Sequence, residues 1–215
     1  MEFSQVIKKR RSIRDFNGLP IPKDTLKAIV AEAQWAPSWV NSQPWKVYIA
    51  TGKTLETIKQ NHLIKVQSGE KGYSDFTRVP RESFGAYPFK NMQALTKHLG
   101  NYVKEDFSEF YKTQENLYHC SAAIYITIPK NSPEWAIMDM GGFEQTLMLS
   151  AANKGIDSIP AYEFVKFPDM IRQYLGIPED ELIAIGIGLG YRSRHPINNY
   201  RSLRVPLDEM LTIKE

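Results

Sequence analysis

The stretch from Trp35 to Trp45 constrains the fold of this chain most, because two prolines in it exclude a continuous helix. Pro37 and Pro44 each push the preceding residue out of helical backbone space. The segment between them is therefore predicted to be an extended, ordered loop that joins an amphipathic helix to an apolar strand. Its polar side chains, framed by three tryptophans, are Ser38, Asn41, Ser42 and Gln43. Two interpretations stay open: a packed helix-to-strand connection, or a rigid site for a planar, polar-edged heterocycle.

Composition bounds the class of protein. The chain has 215 residues with 42% hydrophobic content, which predicts one domain over residues 1–215. A net charge of +3, from 27 basic and 24 acidic residues, is too mild to indicate a nucleic-acid binder. The one cysteine, Cys120, excludes an intrachain disulfide and fits a reducing compartment. Without a signal-peptide pattern or an apolar run of ~20 residues, we expect a soluble cytoplasmic protein with no membrane contact.

Hydrophobic periodicity predicts alternating helices and strands. The predicted helices are a short opening helix capped by Ser4, residues 23–35, residues 54–67, two segments in 90–117 broken near Gly100, and residues 134–154 between Pro133 and Gly155. The predicted strands are residues 46–51, 122–128, 156–164 with an interruption at Pro160, and 181–190. Residues 68–89 are predicted to form a long mobile loop. The glycine-rich end of the last strand, 186–190, indicates close backbone packing, because no helix follows it as a dinucleotide fingerprint requires.

A basic motif, Lys8-Lys9-Arg10-Arg11-Ser12-Ile13-Arg14, follows the opening helix. It has three possible interpretations. The first is a solvated basic helix end, and the second is a nucleic-acid patch, which lacks aromatic support. The third is a clamp for a terminal phosphate, since guanidinium groups match phosphate oxygens in pairs.

Two motifs together resemble the flavin-dependent nitroreductase family. They are Arg10-Arg11-Ser12-Ile13-Arg14 and, one helix later, Pro37-Ser38-Trp39-Val40-Asn41-Ser42-Gln43-Pro44-Trp45. The resemblance implies an α+β fold with a central, mainly antiparallel sheet flanked by helices. It also implies a homodimer that exchanges C-terminal tails, with FMN at the interface. Residues from about 68 to 117 would form a variable excursion over the active site.

The resemblance assigns flavin contacts by position. One chain would supply Arg10, Arg11, Ser12 and Arg14, and the other chain Pro37, Ser38, Trp39 and Asn41. Gln145, on the long helix, would reach the flavin. After Pro160 and Ala161, a backbone N–H of Tyr162 or Glu163 would face flavin N5, whereas from the residues alone Glu163 is an ordinary surface carboxylate. Near the C-terminus Arg204, with Arg201 and Ser202 beside it, would reach the phosphate. Candidate substrate-pocket residues, for which ordinary packing is an equal alternative, are Tyr73, Phe76, Phe84 and Tyr87.

No acid, base or nucleophile constellation is visible, which is typical of enzymes whose cofactor performs the chemistry. His62 is predicted to be a surface or core histidine. His119 and Cys120 are not predicted to bind a metal, because neighbouring residues of a strand point to opposite faces. We therefore expect FMN chemistry without a catalytic side chain or a metal. NADPH or NADH would give hydride to flavin N5 in a ping-pong reaction, and a small nitroaromatic or quinone would then be reduced. Two alternatives stay open: dehalogenation or double-bond reduction on the same fold, and a non-enzymatic basic dimer that binds an anion such as RNA.

Overall fold

The structure, a computed structural model, describes residues 1–104 and 106–215. Helices and strands alternate along most of the chain. In chain order they are α1 (Phe3–Lys9), α2 (Lys23–Ala33), β1 (Lys46–Thr51), α3 (Gly52–Gln67), α4 (Ala86–Tyr102), α5 (Ser108–Glu115), β2 (Ala122–Pro129), α6 (Glu134–Asn153), β3 (Asp157–Pro160), α7 (Pro168–Leu175) and β4 (Glu181–Gly190). Short 3₁₀ turns lie between them at Trp39–Asn41, Arg81–Phe84, Leu117–His119, Tyr162–Val165, Pro196–Asn199 and Leu207–Glu209.

The strands form a four-stranded antiparallel sheet in the order β1-β2-β4-β3. Ile124 at the centre of β2 pairs with Ile49 on one side and with Ile187 on the other. Because β2 is buried on both faces, its sequence is a continuous apolar run rather than an alternating one. The predicted α+β class is therefore confirmed, and the predicted bounds of β1 and β4 are correct.

Helices cover both faces of the sheet. On one face, Leu55 and Ile58 of α3 pack with Ile171 of α7 in one buried cluster. On the other face, the apolar stripe of α2 and the middle of α6 form a second cluster with the isoleucines of β2. Both clusters consist of side chains that recur at helical or strand spacing, which is why the periodicity located these elements.

Several predicted boundaries are wrong for local reasons. The residue that caps α1 is Glu2 rather than Ser4, and α4 begins at Ala86 because Pro88 is tolerated in a first turn. The predicted loop 68–89 therefore ends earlier, and the helical break lies after Tyr102 rather than near Gly100. Gly155, with φ of 79°, follows the end of α6 as predicted. In the part of the chain that is described, no helix has the length and apolarity needed to cross a membrane.

Two glycines of β4 allow the turn Tyr162–Val165 to lie directly on the sheet. A Cβ at Gly186 would lie 2.2 Å from Cβ of Phe164, and a Cβ at Gly188 would lie 2.6 Å from Cζ of the same ring. Phe164 is 1% exposed, so its ring fills the space that these side chains would need. The predicted close packing of the glycine-rich strand is confirmed.

Candidate functional site

The basic motif is fixed at the edge of the sheet next to β3. Ser12 bridges Ser158 in parallel, and the N–H of Ile13 donates to the carbonyl oxygen of Ser158 at 3.1 Å. The N–H of Arg14 donates to Oδ1 of Asn198 at 2.8 Å. Ile13 is fully buried and anchors the motif in the core. This arrangement brings the motif, the end of β3 and the segment after Pro196 into one neighbourhood.

Arg10 and Arg204 form a cationic pair at this site. Burial lowers the pKa of the Arg10 guanidinium, the positive charge of Arg204 lowers it further, and the carboxylate of Glu144 raises it. Arg204 is exposed, and its Nη1 donates to Oγ of Ser202 at 2.8 Å. Two like charges held close together favour an anion between them. Gln145 is exposed on α6, one residue after Glu144.

Arg14 has a different environment, made of aromatic rings. Its guanidinium carbon lies 5.4 Å from the ring centroid of Tyr200 and 6.0 Å from that of Phe110. Nη1 of Arg14 donates to the carbonyl oxygen of Ser12 at 3.2 Å. Burial is the main cause that lowers the pKa of Arg14. Held in this way, the cation has a fixed position and a reduced water shell.

The pKa of Arg11 responds to Arg201 and Arg192 rather than to Arg204. Burial lowers the pKa of Arg11, as do the charges of Arg201 and Arg192, while Asp157 raises it. Arg192 and Asp157 are themselves ion-paired at 2.5 Å. Nε of Arg11 is buried and has no hydrogen-bond partner among residues 1–104 and 106–215. The predicted cationic residues therefore have three environments: Arg10 with Arg204, Arg11 with Arg201, and Arg14 among aromatic rings.

The segment after β3 is a turn, so the predicted strand 156–164 is wrong beyond Pro160. Ala161 donates its N–H to the carbonyl oxygen of Gly186 at 3.1 Å, and the 3₁₀ turn Tyr162–Val165 follows. The first N–H groups of such a turn have no partner within it. Within the described part of the chain, the N–H groups of Tyr162 and Glu163 have no acceptor. Two backbone donors are thus available beside the basic motif.

Glu163 is buried, so its assignment as a surface carboxylate is wrong. It is 4% exposed, and its Oε2 accepts from Nε2 of Gln114 at 2.8 Å. Its Oε1 accepts from Nζ of Lys166 at 2.9 Å and lies 3.1 Å from Nε2 of His62. Burial alone would raise the pKa of Glu163, but the bonds from His62, Lys166 and Gln114 outweigh it and lower the pKa to about 2.

His62 is a core residue, one of the two alternatives that its sequence position allowed. It is 1% exposed, and its Nδ1 lies 2.9 Å from the carbonyl oxygen of Glu115. Both ring nitrogens thus face oxygen atoms, but Nε2 forms no hydrogen bond of good geometry among the described residues. The 3.1 Å contact between Nε2 of His62 and Oε1 of Glu163 joins α3 to the turn that follows β3.

The proline-bounded loop lies elsewhere on the chain, against the first half of α6. The N–H of Trp39 donates to Oδ2 of Asp139 at 2.9 Å, and its ring stacks on Trp135 with centroids 5.0 Å apart. Val40 and Asn41 have positive φ, which is strained for a β-branched residue such as valine. Pro37, Trp39 and Asn41 are exposed, and Ser38 is half-buried. Among the described residues, no hydrogen bond, ion pair or ring contact joins the predicted flavin contacts of this loop to Arg10 or Arg14 of the same chain.

A groove of about 770 Å³ opens beside Tyr162 and Glu163. It is lined by Arg78, Val79, Pro80, Arg81, Phe84, Met92, Gln114, Tyr162, Glu163 and Lys166. Of the predicted pocket aromatics, Phe84 lines it, whereas Phe76 packs against the second core cluster. Tyr73 is tied instead to the carbonyl oxygen of Lys166 by its N–H at 3.0 Å. Arg78, Arg81 and Gln114 were not predicted as site residues, because they belong to no recognisable motif. The presence of arginines in residues 68–89 was the one local signal.

Comparison with known proteins identifies the family. The chain is 27% identical over 223 aligned positions, 98% of this chain and 89% of the relative, to a 4-nitrobenzoate reductase from Nocardioides sp. (strain LMS-CY). It is 26% identical to the chloronitrobenzene nitroreductase of Comamonas testosteroni, covering 96% and 94%. The crystal structure of the FMN-dependent nitroreductase NfnB from Mycobacterium smegmatis in complex with NADPH superposes with a TM-score of 0.89 at 26% identity, covering 99% and 97%. Residues 7–191 match the model of one family, and this chain belongs to it: the nitroreductase family.

Proposed function

We propose that this protein is an FMN-dependent oxidoreductase that uses NADPH or NADH to reduce nitroaromatic, quinone or similar electron-poor aromatic substrates. The observation that carries the proposal is a pair of N–H groups, of Tyr162 and Glu163, that have no acceptor among the described residues. They follow β3, the strand to which the half-buried cationic motif is hydrogen-bonded. Backbone donors suit a ring nitrogen, and paired guanidinium groups suit a phosphate. The relatives' activities and the FMN and NADPH of NfnB agree with this chemistry.

The residues present fit FMN in charge and in hydrogen-bonding capacity. Its phosphate carries about −1.5 to −2 charges near neutral pH, which matches the Arg10–Arg204 pair, with Ser202 beside it. Ser12 and Arg14 would hold the pyrimidine edge. A backbone N–H of Tyr162 or Glu163 would face N5, after Pro160 and Ala161 have ended β3. Arg11 and Arg201 would add positive charge from their own group, and Gln145 would contribute from α6.

The protein's part in the reaction is binding, orientation and electrostatics. When bound, FMN supplies ping-pong hydride transfer through N5, from the nicotinamide nucleotide to the substrate. Arg14 keeps a partly desolvated positive charge that would stabilise negative charge on the pyrimidine edge of a bound flavin. The buried Glu163 ion pairs hold the turn Tyr162–Val165 in place, so that its N–H donors are oriented before a ligand arrives.

A homodimer completes the proposed site. The loop residues Pro37, Ser38, Trp39 and Asn41 would come from the second copy, because within one chain they lie against α6 rather than beside the basic motif. Exposed apolar side chains support such an interface. On or near α6 they are Trp39, Trp135 and Met138, and on the C-terminal tail Leu207, Met210 and Ile213. The exposed fractions of Met138 and Ile213 are 60% and 75%, high for large apolar residues unless another surface covers them.

The visible absorption spectrum of the purified protein tests the proposal. We expect a yellow protein that bleaches when NADPH or NADH is added without oxygen. Bleaching by one nucleotide identifies the donor. A protein that stays colourless after incubation with FMN overturns the proposal.

A matched pair of variants tests the phosphate contact. Arg204→Gln should weaken FMN binding by about 10- to 100-fold, because a charge-assisted hydrogen bond to phosphate is lost. Lys214→Gln removes the same charge from the same exposed tail and should leave the affinity unchanged. Equal affinities in both variants would place the phosphate elsewhere. Fluorescence titration of FMN measures both constants.

A further inference from the structure

Two arginines in the groove beside Tyr162 have no counter-charge within the part of the chain that the structure describes. Arg78 precedes the 3₁₀ turn Arg81–Phe84, and Arg81 begins it; both are exposed. Over residues 1–104 and 106–215, neither guanidinium lies within 4.0 Å of a carboxylate. The closest polar contact of Arg81 is 3.4 Å, from its Nη1 to Oγ1 of Thr96. Both groups therefore keep most of their hydrogen-bond donors for a ligand.

The remaining charges of the groove cancel locally. Glu163, the one carboxylate among the described residues that line it, is already held by Lys166, Gln114 and His62. A buried carboxylate with these partners does not neutralise Arg78 and Arg81. The described lining thus has an excess of positive charge at these two arginines.

The rest of the lining suits an aromatic ring. The guanidinium carbon of Arg78 lies 5.6 Å from the ring centroid of Tyr162, a residue whose backbone N–H has no acceptor in the described part of the chain. Apolar side chains complete the lining: Val79, Pro80, Phe84 and Met92. A flat ring that carries an anionic group at one end matches this combination of surfaces.

We propose that Arg78 and Arg81 select an oxyanion on the molecule that enters the groove, so that the site prefers anionic aromatic ligands over neutral ones of the same shape. The oxyanion is either a carboxylate on the aromatic substrate or the 2′-phosphate that distinguishes NADPH from NADH. Both groups present coplanar or clustered oxygens that a guanidinium fork bonds in pairs. The inference rests on the proposed function, because it takes the groove as the entry to the flavin.

Binding of non-reducible probes tests the inference independently of turnover. Isothermal titration calorimetry would compare benzoate with benzamide, which has the same shape without the charge. A second arm would compare adenosine 2′,5′-bisphosphate with adenosine 5′-monophosphate, which lacks the 2′-phosphate. We expect the anionic member of at least one pair to bind about five- to ten-fold more tightly in the natural protein.

Variants assign the preference to the two arginines. Arg78→Gln and Arg81→Gln should each reduce it, and Arg78→Lys should retain part of it because the charge stays while the fork is lost. Lys53→Gln, in the exposed first turn of α3, makes the same charge change outside the groove and should have no effect. Loss of selectivity in the benzoate pair identifies the substrate carboxylate, and loss in the nucleotide pair identifies the 2′-phosphate.

The failing outcomes are distinct. The inference is overturned if neither pair shows a preference, or if the preference survives Arg78→Gln and Arg81→Gln together. Failure of the proposed function would show separately, as a protein without bound flavin that does not reduce neutral nitrobenzene. Because calorimetry needs no bound flavin, the charge preference is measured in either case.

Discussion

Replacement of Gly188 by alanine tests how tightly β4 and the turn Tyr162–Val165 are packed. A Cβ at this position would lie 2.6 Å from Cζ of Phe164, whereas carbon atoms rest at about 3.5–4.0 Å. The ring must therefore retreat by about 1 Å inside a core that has little free volume. We expect a loss of about 2 kcal/mol in the free energy of unfolding, the usual cost of overpacking.

A double-mutant cycle with Phe164→Leu identifies the obstacle. Leucine lacks the outer ring atoms Cζ and Cε2 that the new methyl group would meet. In this background Gly188→Ala should still cost up to about 1 kcal/mol, because the new methyl group would lie 3.2 Å from Cβ of Cys120. The coupling free energy should reach about 1–2 kcal/mol. Gly186→Ala is the contrasting case, because its Cβ would meet Cβ of Phe164 at 2.2 Å, an atom that leucine keeps. We expect that variant to lose about 3 kcal/mol in either background.

Urea unfolding at a fixed protein concentration measures these differences. A loss of 2 kcal/mol should lower the midpoint by about 1 M without changing the slope. FMN affinity gives a second readout. Gly186→Ala should weaken it because the backbone of the turn must move, whereas the Phe164→Leu/Gly188→Ala pair should not. Additive free energies at Gly188 would refute the reasoning, since the Phe164 ring would then not be what the methyl group meets.

Three further predictions concern charge, association and reactivity. Glu163→Gln should lower the free energy of unfolding by about 3 kcal/mol at pH 7, since folding lowers the pKa of Glu163 from 4.5 to about 2. This stabilisation is present above pH 4.5 and is lost as the pH falls towards 2. Urea unfolding should therefore show a smaller difference between variant and natural protein at pH 3.5 than at pH 7. Met138→Glu places a charge at an exposed apolar position on α6, so it should weaken self-association at least about ten-fold and release flavin. An unchanged sedimentation coefficient at low protein concentration would contradict the proposed interface. Burial raises the pKa of Cys120 to about 12, so a thiol reagent should react with it only after unfolding, and rapid reaction in the native protein would contradict this.

Local patterns in the sequence were enough to locate most of the scaffold. The bounds of β1 and β4 follow from their apolar runs, and α6 is framed by Pro133 and Gly155. These signals lie within a few residues of the element that they define, so no knowledge of the fold is needed to read them. The basic motif and the proline-bounded loop were recognisable for the same reason.

The turn Tyr162–Val165 could not be predicted, because distant residues stabilise it. His62 lies 101 positions before Glu163 in the chain, and nothing local indicates that their side chains meet in the core. The separation of Arg11 and Arg201 from Arg10 and Arg204 likewise depends on how the tail folds back. Tertiary contacts of this kind override the extended conformation that the residues around Pro160 favour on their own.

Arg14 makes the proposed cofactor a reporter of the whole assembly. Its guanidinium contacts Tyr200 and Phe110, which lie far from it in the sequence. All three segments must therefore be folded before the Arg14 side chain has its final position. A ligand that binds only this assembled form stabilises it in proportion to the logarithm of its concentration. At saturating FMN, the ratio of flavin to protein absorbance would then report the fraction of molecules in which these stretches are assembled, and protein prepared without FMN would be in the less stable form.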